Sequence, residues 1–187
     1  MKLSKMLIAA IVTFLIANLG LFAQSDAFSI KFSGFVKTDA FYNTRNMVSI
    51  REDHITLWPS NKNLDKDGKD LNEIGNFHIL SIQTRLAAKI DGPGIFGGRT
   101  SGYVETEFLG TTESDINSLR LRHAYVDLIF DNTTIRAGQF WHPLFATENF
   151  PDVLNFNTGI PFLPFNRSPQ IRLTHKFDDV SVFAAIN

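Results

Sequence analysis

Two adjoining runs of the chain alternate apolar and charged side chains at period two. They are L-R-L-R-H-A-Y-V-D-L-I-F at residues 119–130 and T-I-R-A-G-Q-F-W at residues 134–141, joined by D-N-T. A two-residue period belongs to an extended strand, whose successive side chains face opposite sides. Residues 28–42 set Phe28, Ile30, Phe32, Gly34, Val36, Ala40 and Tyr42 against Ser29, Lys31, Ser33, Lys37 and Asp39, with Phe35 and Phe41 as exceptions on the polar side. Residues 80–91 hold six pairs in phase: Leu80, Ile82, Thr84, Leu86, Ala88 and Ile90 against Ser81, Gln83, Arg85, Ala87, Lys89 and Asp91. So long an unbroken alternation is a strong strand signal. Residues 101–109 place Tyr103, Glu105, Glu107 and Leu109 opposite Gly102, Val104, Thr106 and Phe108, and residues 170–177 and 180–187 flank an Asp178-Asp179 turn. In the 119–130 run Arg120 and Arg122 share the parity of Ala124, Val126, Leu128 and Phe130. The phase must therefore slip near residues 122–124, as a β-bulge makes it do.

The connections sort by length. Residues 43–76, 110–117 and 142–169 are long or of medium length, whereas 92–99, 131–133 and 178–179 are short. Outer-membrane barrels have short periplasmic turns and longer external loops, and with a periplasmic N-terminus the first, third and fifth connections fall outside. Most runs exceed the roughly 5–6 residues of an average strand and suit the roughly 9–11 that a tilted membrane strand needs. Arginines beside aromatics on the polar edge suit a water-filled lumen inside an apolar wall. The expected fold is all-β, an antiparallel transmembrane β-barrel to which this chain contributes about six to seven strands. Seven is fewer than the eight of the smallest bacterial barrels, and open edges in lipid leave backbone groups unpaired. The chain, whose last alternating run still continues at Asn187, is accordingly expected to be the N-terminal part of a longer protein. A complete eight-stranded barrel with an extra strand from residues 45–58 is the alternative.

The first residues are a separate object. Lys2 and Lys5 precede an almost wholly apolar stretch at residues 6–22, followed by A-Q-S-D-A. This reads as a secretory signal peptide over residues 1–23, with cleavage after Ala23 or Ala27; an uncleaved anchor is the other reading. Residues 24–187 are then the barrel portion, exported to the outer membrane. Removing Lys2 and Lys5 leaves 16 basic against 19 acidic residues, a balance that argues against a nucleic-acid partner. There is no cysteine, so no disulfide holds the exported chain together. Eighteen phenylalanines suit the aromatic girdles of a barrel. Trp58, Trp141, Tyr42 and Phe140, near strand ends, are expected to anchor at the interface.

Three segments carry a family resemblance: S-G-F-V-K-T-D-A at residues 33–40, L-R-L-R-H-A-Y-V-D at residues 119–127 and R-A-G-Q-F-W-H-P-L-F at residues 136–145. With them the chain resembles the N-terminal portion of a Gram-negative outer-membrane porin, similar to DcaP-like porins and their Bacteroidetes relatives. The resemblance implies passive diffusion of small hydrophilic solutes, carboxylates among them, through a homotrimer of the full-length form in the lipid bilayer of the outer membrane. It also implies that the third external loop folds into the lumen.

Two groups of residues are candidates for the pore. Arg85, Lys89, Arg120, Arg122, Arg136, Arg172 and Lys176 fall on the polar face or can be phased to it. A row of fixed cations beside water concentrates and orients anions, and the arginine fork grips carboxylates. In the other reading these cations pair across strands with Glu105, Glu107 and Asp127. Residues 142–169 hold five phenylalanines and five prolines, which favour partial burial and oppose strand formation; Glu148, Asp152 and Arg167 are the charges this loop offers as a constriction. An adhesion or binding module without a channel is the alternative function. No cofactor and no metal are implied: the D-K-D-G-K-D-L-N-E stretch at residues 65–73 departs from the calcium-loop order, and the five histidines lack ligand spacing. An enzyme is not expected, since Ser118 and His123 lie too far apart on one strand to form a catalytic pair.

Overall fold

The computed structural model describes residues 28–150, 153 and 163–187. The expected signal peptide lies outside the described residues, and so does Asp152. The strands are β1 (Ser29–Phe35), β2 (Asp39–Asn43), β3 (Met47–Ile50), β4 (Ile55–Pro59), β5 (Asn76–Leu80), β6 (Arg85–Ile95), β7 (Gly98–Glu107), β8 (Arg120–Ile129), β9 (Thr133–Trp141), β10 (Arg167–Phe177) and β11 (Val180–Ile186), with a 3-10 turn at Thr147–Asn149. Seven of them form one antiparallel sheet in the order β1-β6-β7-β8-β9-β10-β11. The three long connections leave this sheet at one end, and the turns at 96–97, 130–132 and 178–179 close the other. Sorting of the connections by length is thus a property of the fold.

The two faces differ as the alternation requires. Ile30, Phe32, Leu86, Leu121, Val126, Ile135, Ile171 and Leu173 stand exposed on one face, Phe32 at 83 %. Arginines, glutamates and tyrosines occupy the other. A continuous exposed apolar face is untenable for a sheet in water and is what a lipid-facing wall requires.

Two expected strands are interrupted. The 28–42 run divides into β1 and β2, and the 80–91 run into β5 and β6, so β2 and β5 pair apart from the large sheet. The breaks hold each other: the Lys37 amide donates to Thr84 Oγ1 at 3.2 Å, and the Thr84 amide closes a turn onto the Ser81 carbonyl. Ile82, expected on the apolar face, instead turns into a small core with Ile55 and Leu109. Leu57, Leu80, Ile116 and Phe165 pack against it, so all three long connections contribute. Residues 45–58 supply no eighth strand, because β3 and β4 pair only with one another.

Pro169 was expected to oppose strand formation, yet it lies within β10, opposite Gln139. The connection expected at 92–99 shrinks to Phe96-Gly97, both with positive φ (53° and 78°), as two-residue hairpin turns require. The expected phase slip is present. Glu105 pairs with His123 and Thr106 with Leu121, which leaves Arg122 as the extra residue of a bulge. Gln139 Nε2 donates to the Arg122 carbonyl at 3.0 Å and gives this bulged residue a partner.

Candidate functional site

Cross-strand register sets Arg85, Glu107 and Arg120 abreast on β6, β7 and β8. Opposite charges so placed attract, and Glu107 accepts from Arg85 Nε at 2.9 Å and from Arg120 Nε at 3.0 Å. The bulge places Arg122 beside them. Its Nη1 donates to both Glu107 oxygens at 2.9 Å, and its Nε donates to Glu105, which also accepts the Tyr103 hydroxyl at 2.9 Å. Glu107 is wholly buried and Arg122 nearly so. Three guanidiniums therefore share two carboxylates at the loop end of the polar face.

A second row crosses β8, β9 and β10: Asp127, Arg136 and Arg172. Arg136 grips Asp127 bidentately, with both hydrogen bonds 2.8 Å long, and lies 3.8 Å from the Tyr125 ring centroid. Gly138, directly opposite Tyr125, has φ of +135°, and a Cβ there would fall 2.3 Å from the Ala124 carbonyl oxygen. Arg172 lies between Phe140 and Phe183, 5.2 and 4.5 Å from their centroids. It donates to the Gln170 side chain and the Trp141 carbonyl, both at 3.1 Å. No ion-pair partner of Arg172 is found among the described residues.

The base of the third long connection folds onto this polar face. Trp141 stacks on Phe145 at 4.5 Å and packs on Phe165 at 4.9 Å, while Arg167 sits 4.7 Å and Arg122 5.7 Å from the Trp141 ring. Trp141 and Phe140, expected as interface anchors, instead pack among the arginines. Residues 143–148 and strands β9 to β11 enclose a cleft of about 610 Å³ whose lining includes Arg136, Phe140, Glu148, Arg172 and Phe183. Arg167 opens β10, and its Nη1 is buried without a hydrogen-bond partner among the described residues.

The structure thus brings together Arg85, Glu105, Glu107, Arg120 and Arg122 in one cluster and Asp127, Arg136 and Arg172 in another, with Glu148 at the second and Arg167 beside the first. Lys89 stands apart, paired with Asp91 at 3.3 Å and half exposed. Lys176 is exposed near the turn end, its amide bonded to the Asn132 carbonyl. Three supporting residues escaped the sequence reading. Gln170 bonds the Phe140 and Trp141 carbonyls and orients Arg172; its parity with Arg172 was the available signal. His123 packs on Phe140 and Trp141, and Gln139 serves the bulge; both depend on a register that alternation does not specify.

No protein-family model matches the chain, and no curated protein matches it. Among solved structures it is similar to the crystal structure of the outer membrane channel DcaP of Acinetobacter baumannii, with a TM-score of 0.59 and 22% sequence identity. The match covers 87% of this chain and 42% of that one, so the chain spans less than half the length of the channel it resembles. The fold is that of part of an antiparallel transmembrane β-barrel, in which the apolar face is the outer wall and the polar face the inner wall.

Proposed function

We propose that this chain forms part of an outer-membrane channel through which small hydrophilic solutes diffuse passively, with a preference for anions. One observation carries the reading: of six arginines on the inner wall, four are ion-paired among the described residues and two are not. Arg85, Arg120, Arg122 and Arg136 are paired with Glu105, Glu107 and Asp127, whereas Arg167 and Arg172 have no carboxylate partner among the described residues. Cations held by a low-dielectric wall raise the local concentration of anions in adjacent water. Arg172, flanked by Phe140 and Phe183 in the lining of the cleft, is the group that an anion meets. Lys89 and Lys176 extend the pore lining toward the turn end. Glu148 and Arg167 bound a constriction where the base of the third long connection meets the inner wall. Residues 1–23 direct export as a signal peptide, residues 24–187 belong to the barrel, and the full-length protein assembles as a trimer in the outer membrane.

The test is electrical. The full-length protein in planar bilayers is expected to give discrete conductance steps, with a reversal potential in a potassium chloride gradient that favours chloride. Arg172→Glu is expected to move that potential toward potassium. Absence of conductance would overturn the channel reading, and an unchanged potential in Arg172→Glu would overturn the anion preference.

A further inference from the structure

We propose that Glu107 is a specificity-determining residue of the inner wall: the buried counter-charge that sets how much positive potential Arg85, Arg120 and Arg122 present to a passing solute. The inference rests on the channel reading above. Specificity in a pore is usually sought among side chains that a solute touches, and Glu107, at 0% exposure, touches none. Its carboxylate instead accepts from three guanidiniums, one on β6 and two on β8. Arg85, Arg120 and Glu105 keep 19%, 17% and 15% of their side-chain surface exposed, so they are the groups of this cluster that face water. Arg122, 3% exposed, is committed to Glu105 and Glu107.

The charge balance explains why a buried residue controls an exposed property. Three guanidiniums against Glu105 and Glu107 leave one net positive charge, and loss of the Glu107 charge doubles it. Lipid lies behind this sheet. A low-dielectric wall focuses the field of its charges into the aqueous side, so a carboxylate that no solute contacts still acts on solutes in the lumen. Coulomb's law for one unit charge acting across about 8 Å of water, roughly halved by salt screening over that distance, gives a change of about twofold in the anion-to-cation occupancy ratio. Arg122 holds the bulge against Glu105 and Glu107 alike, so the carboxylate of Glu107 that sets the charge also helps fix where the arginines stand.

A role confined to holding the strands together makes a different forecast from a role in specificity. Glu107→Gln keeps the shape and removes the charge. It is expected to raise the chloride-to-potassium permeability ratio of the full-length protein about twofold over wild type. Arg120→Gln is expected to lower the ratio, and Glu107→Gln with Arg120→Gln to return it near wild type. A Glu107→Gln protein that folds and conducts with an unchanged ratio would overturn the proposal. If Glu107→Gln fails to fold, the double variant measured against Arg120→Gln isolates the same carboxylate, and equal ratios in those two would overturn it as well. A wild-type protein without conductance removes the channel reading itself, whereas a conducting wild type with an insensitive Glu107 removes only this inference.

Discussion

Glu107 and Arg122 form a buried ionic contact in which each charge depends on the other for its solvation. Taking a carboxylate and a guanidinium out of water costs several kcal/mol per ion, offset only when every lone pair and N–H finds a partner. Here both Glu107 oxygens and two Arg122 nitrogens are engaged. Arg122→Met is therefore expected to destabilise the lipid-folded protein by about 3–5 kcal/mol, read as a lower urea midpoint for unfolding from vesicles. Arg122→Lys should recover little, because one ammonium cannot reach Glu105 and both oxygens of Glu107 in a fixed fork. A midpoint unchanged in Arg122→Met would show that the cluster carries no stability. Gly138→Ala should also lower the midpoint, by about 1–3 kcal/mol, since it forces a Cβ against the Ala124 carbonyl at a φ that side chains avoid. Much at this scale was legible. Parity placed Glu105, Glu107 and Asp127 on one face, and the misplaced arginines announced the bulge. Which arginine meets which carboxylate was not, because pairing depends on register between strands whose partners lie 9 to 22 residues apart in sequence.

The elements that alternation misjudged share a physical cause. The break at 81–84 shifts the phase by one residue, because Phe77 and Ile79 face outward before it and Leu86 after it, yet Leu80 and Ile82, which turn toward the small core, keep the sequence alternation running through the break. The β3–β4 hairpin has strands of four and five residues and a tip, R-E-D, with none of the Gly or Asn that usually marks a turn. That tip holds Arg51, Glu52 and Asp53 at φ of 60°, 52° and 64°, a left-handed run that costs about 1–2 kcal/mol per residue. Glu113, from the connection between β7 and β8, holds it in place by accepting the amides of Arg51 and Glu52 and the Arg51 guanidinium, which also donates to the Thr111 carbonyl. These contacts, the Arg51 amide first, keep the Glu113 carboxyl below its usual range. A depressed folded-state pKa means the latch contributes fully above the ordinary carboxylate range and is lost as pH falls through the lowered value. Protection of the Arg51 and Glu52 amides against hydrogen exchange, corrected for intrinsic rates, is expected to hold at neutral pH and collapse only in acid below the ordinary carboxylate range. Asp115, held low chiefly by the Thr112 amide, titrates in the same direction nearby. Glu113→Gln at neutral pH separates the two: it should remove the protection at residues 51 and 52 while the Asp115 turn persists.

For the whole molecule, the decisive property is that its largest apolar surface lies outside and its ions lie within. A water-soluble sheet buries its apolar face; this one exposes Phe32, Val126 and Leu173 while Glu107 and Arg122 are buried. That inversion was legible from the sequence because the two faces were read separately and the connections were sorted by length. The small core beneath the long connections was not, since Ile55, Ile82 and Leu109 meet only after three loops converge. The chain has no cysteine, so single cysteines can be placed without background. In the full-length protein in vesicles, Phe32→Cys, Val126→Cys and Leu173→Cys lie on the outer wall, and Lys89→Cys and Thr174→Cys on the inner wall. A charged, membrane-impermeant maleimide reacts only with thiols that meet water. The inner-wall pair should label within the period in which the outer three stay unreacted, and lipid-borne quenchers should dim a fluorophore attached at the outer three alone. The contrast between adjacent residues of β10 is the sharpest form of the test, because Leu173 and Thr174 share one stretch of backbone and differ only in the face they occupy. Equal labelling at these two positions in vesicles would mean that water reaches both faces, and the sheet would then not be a membrane wall.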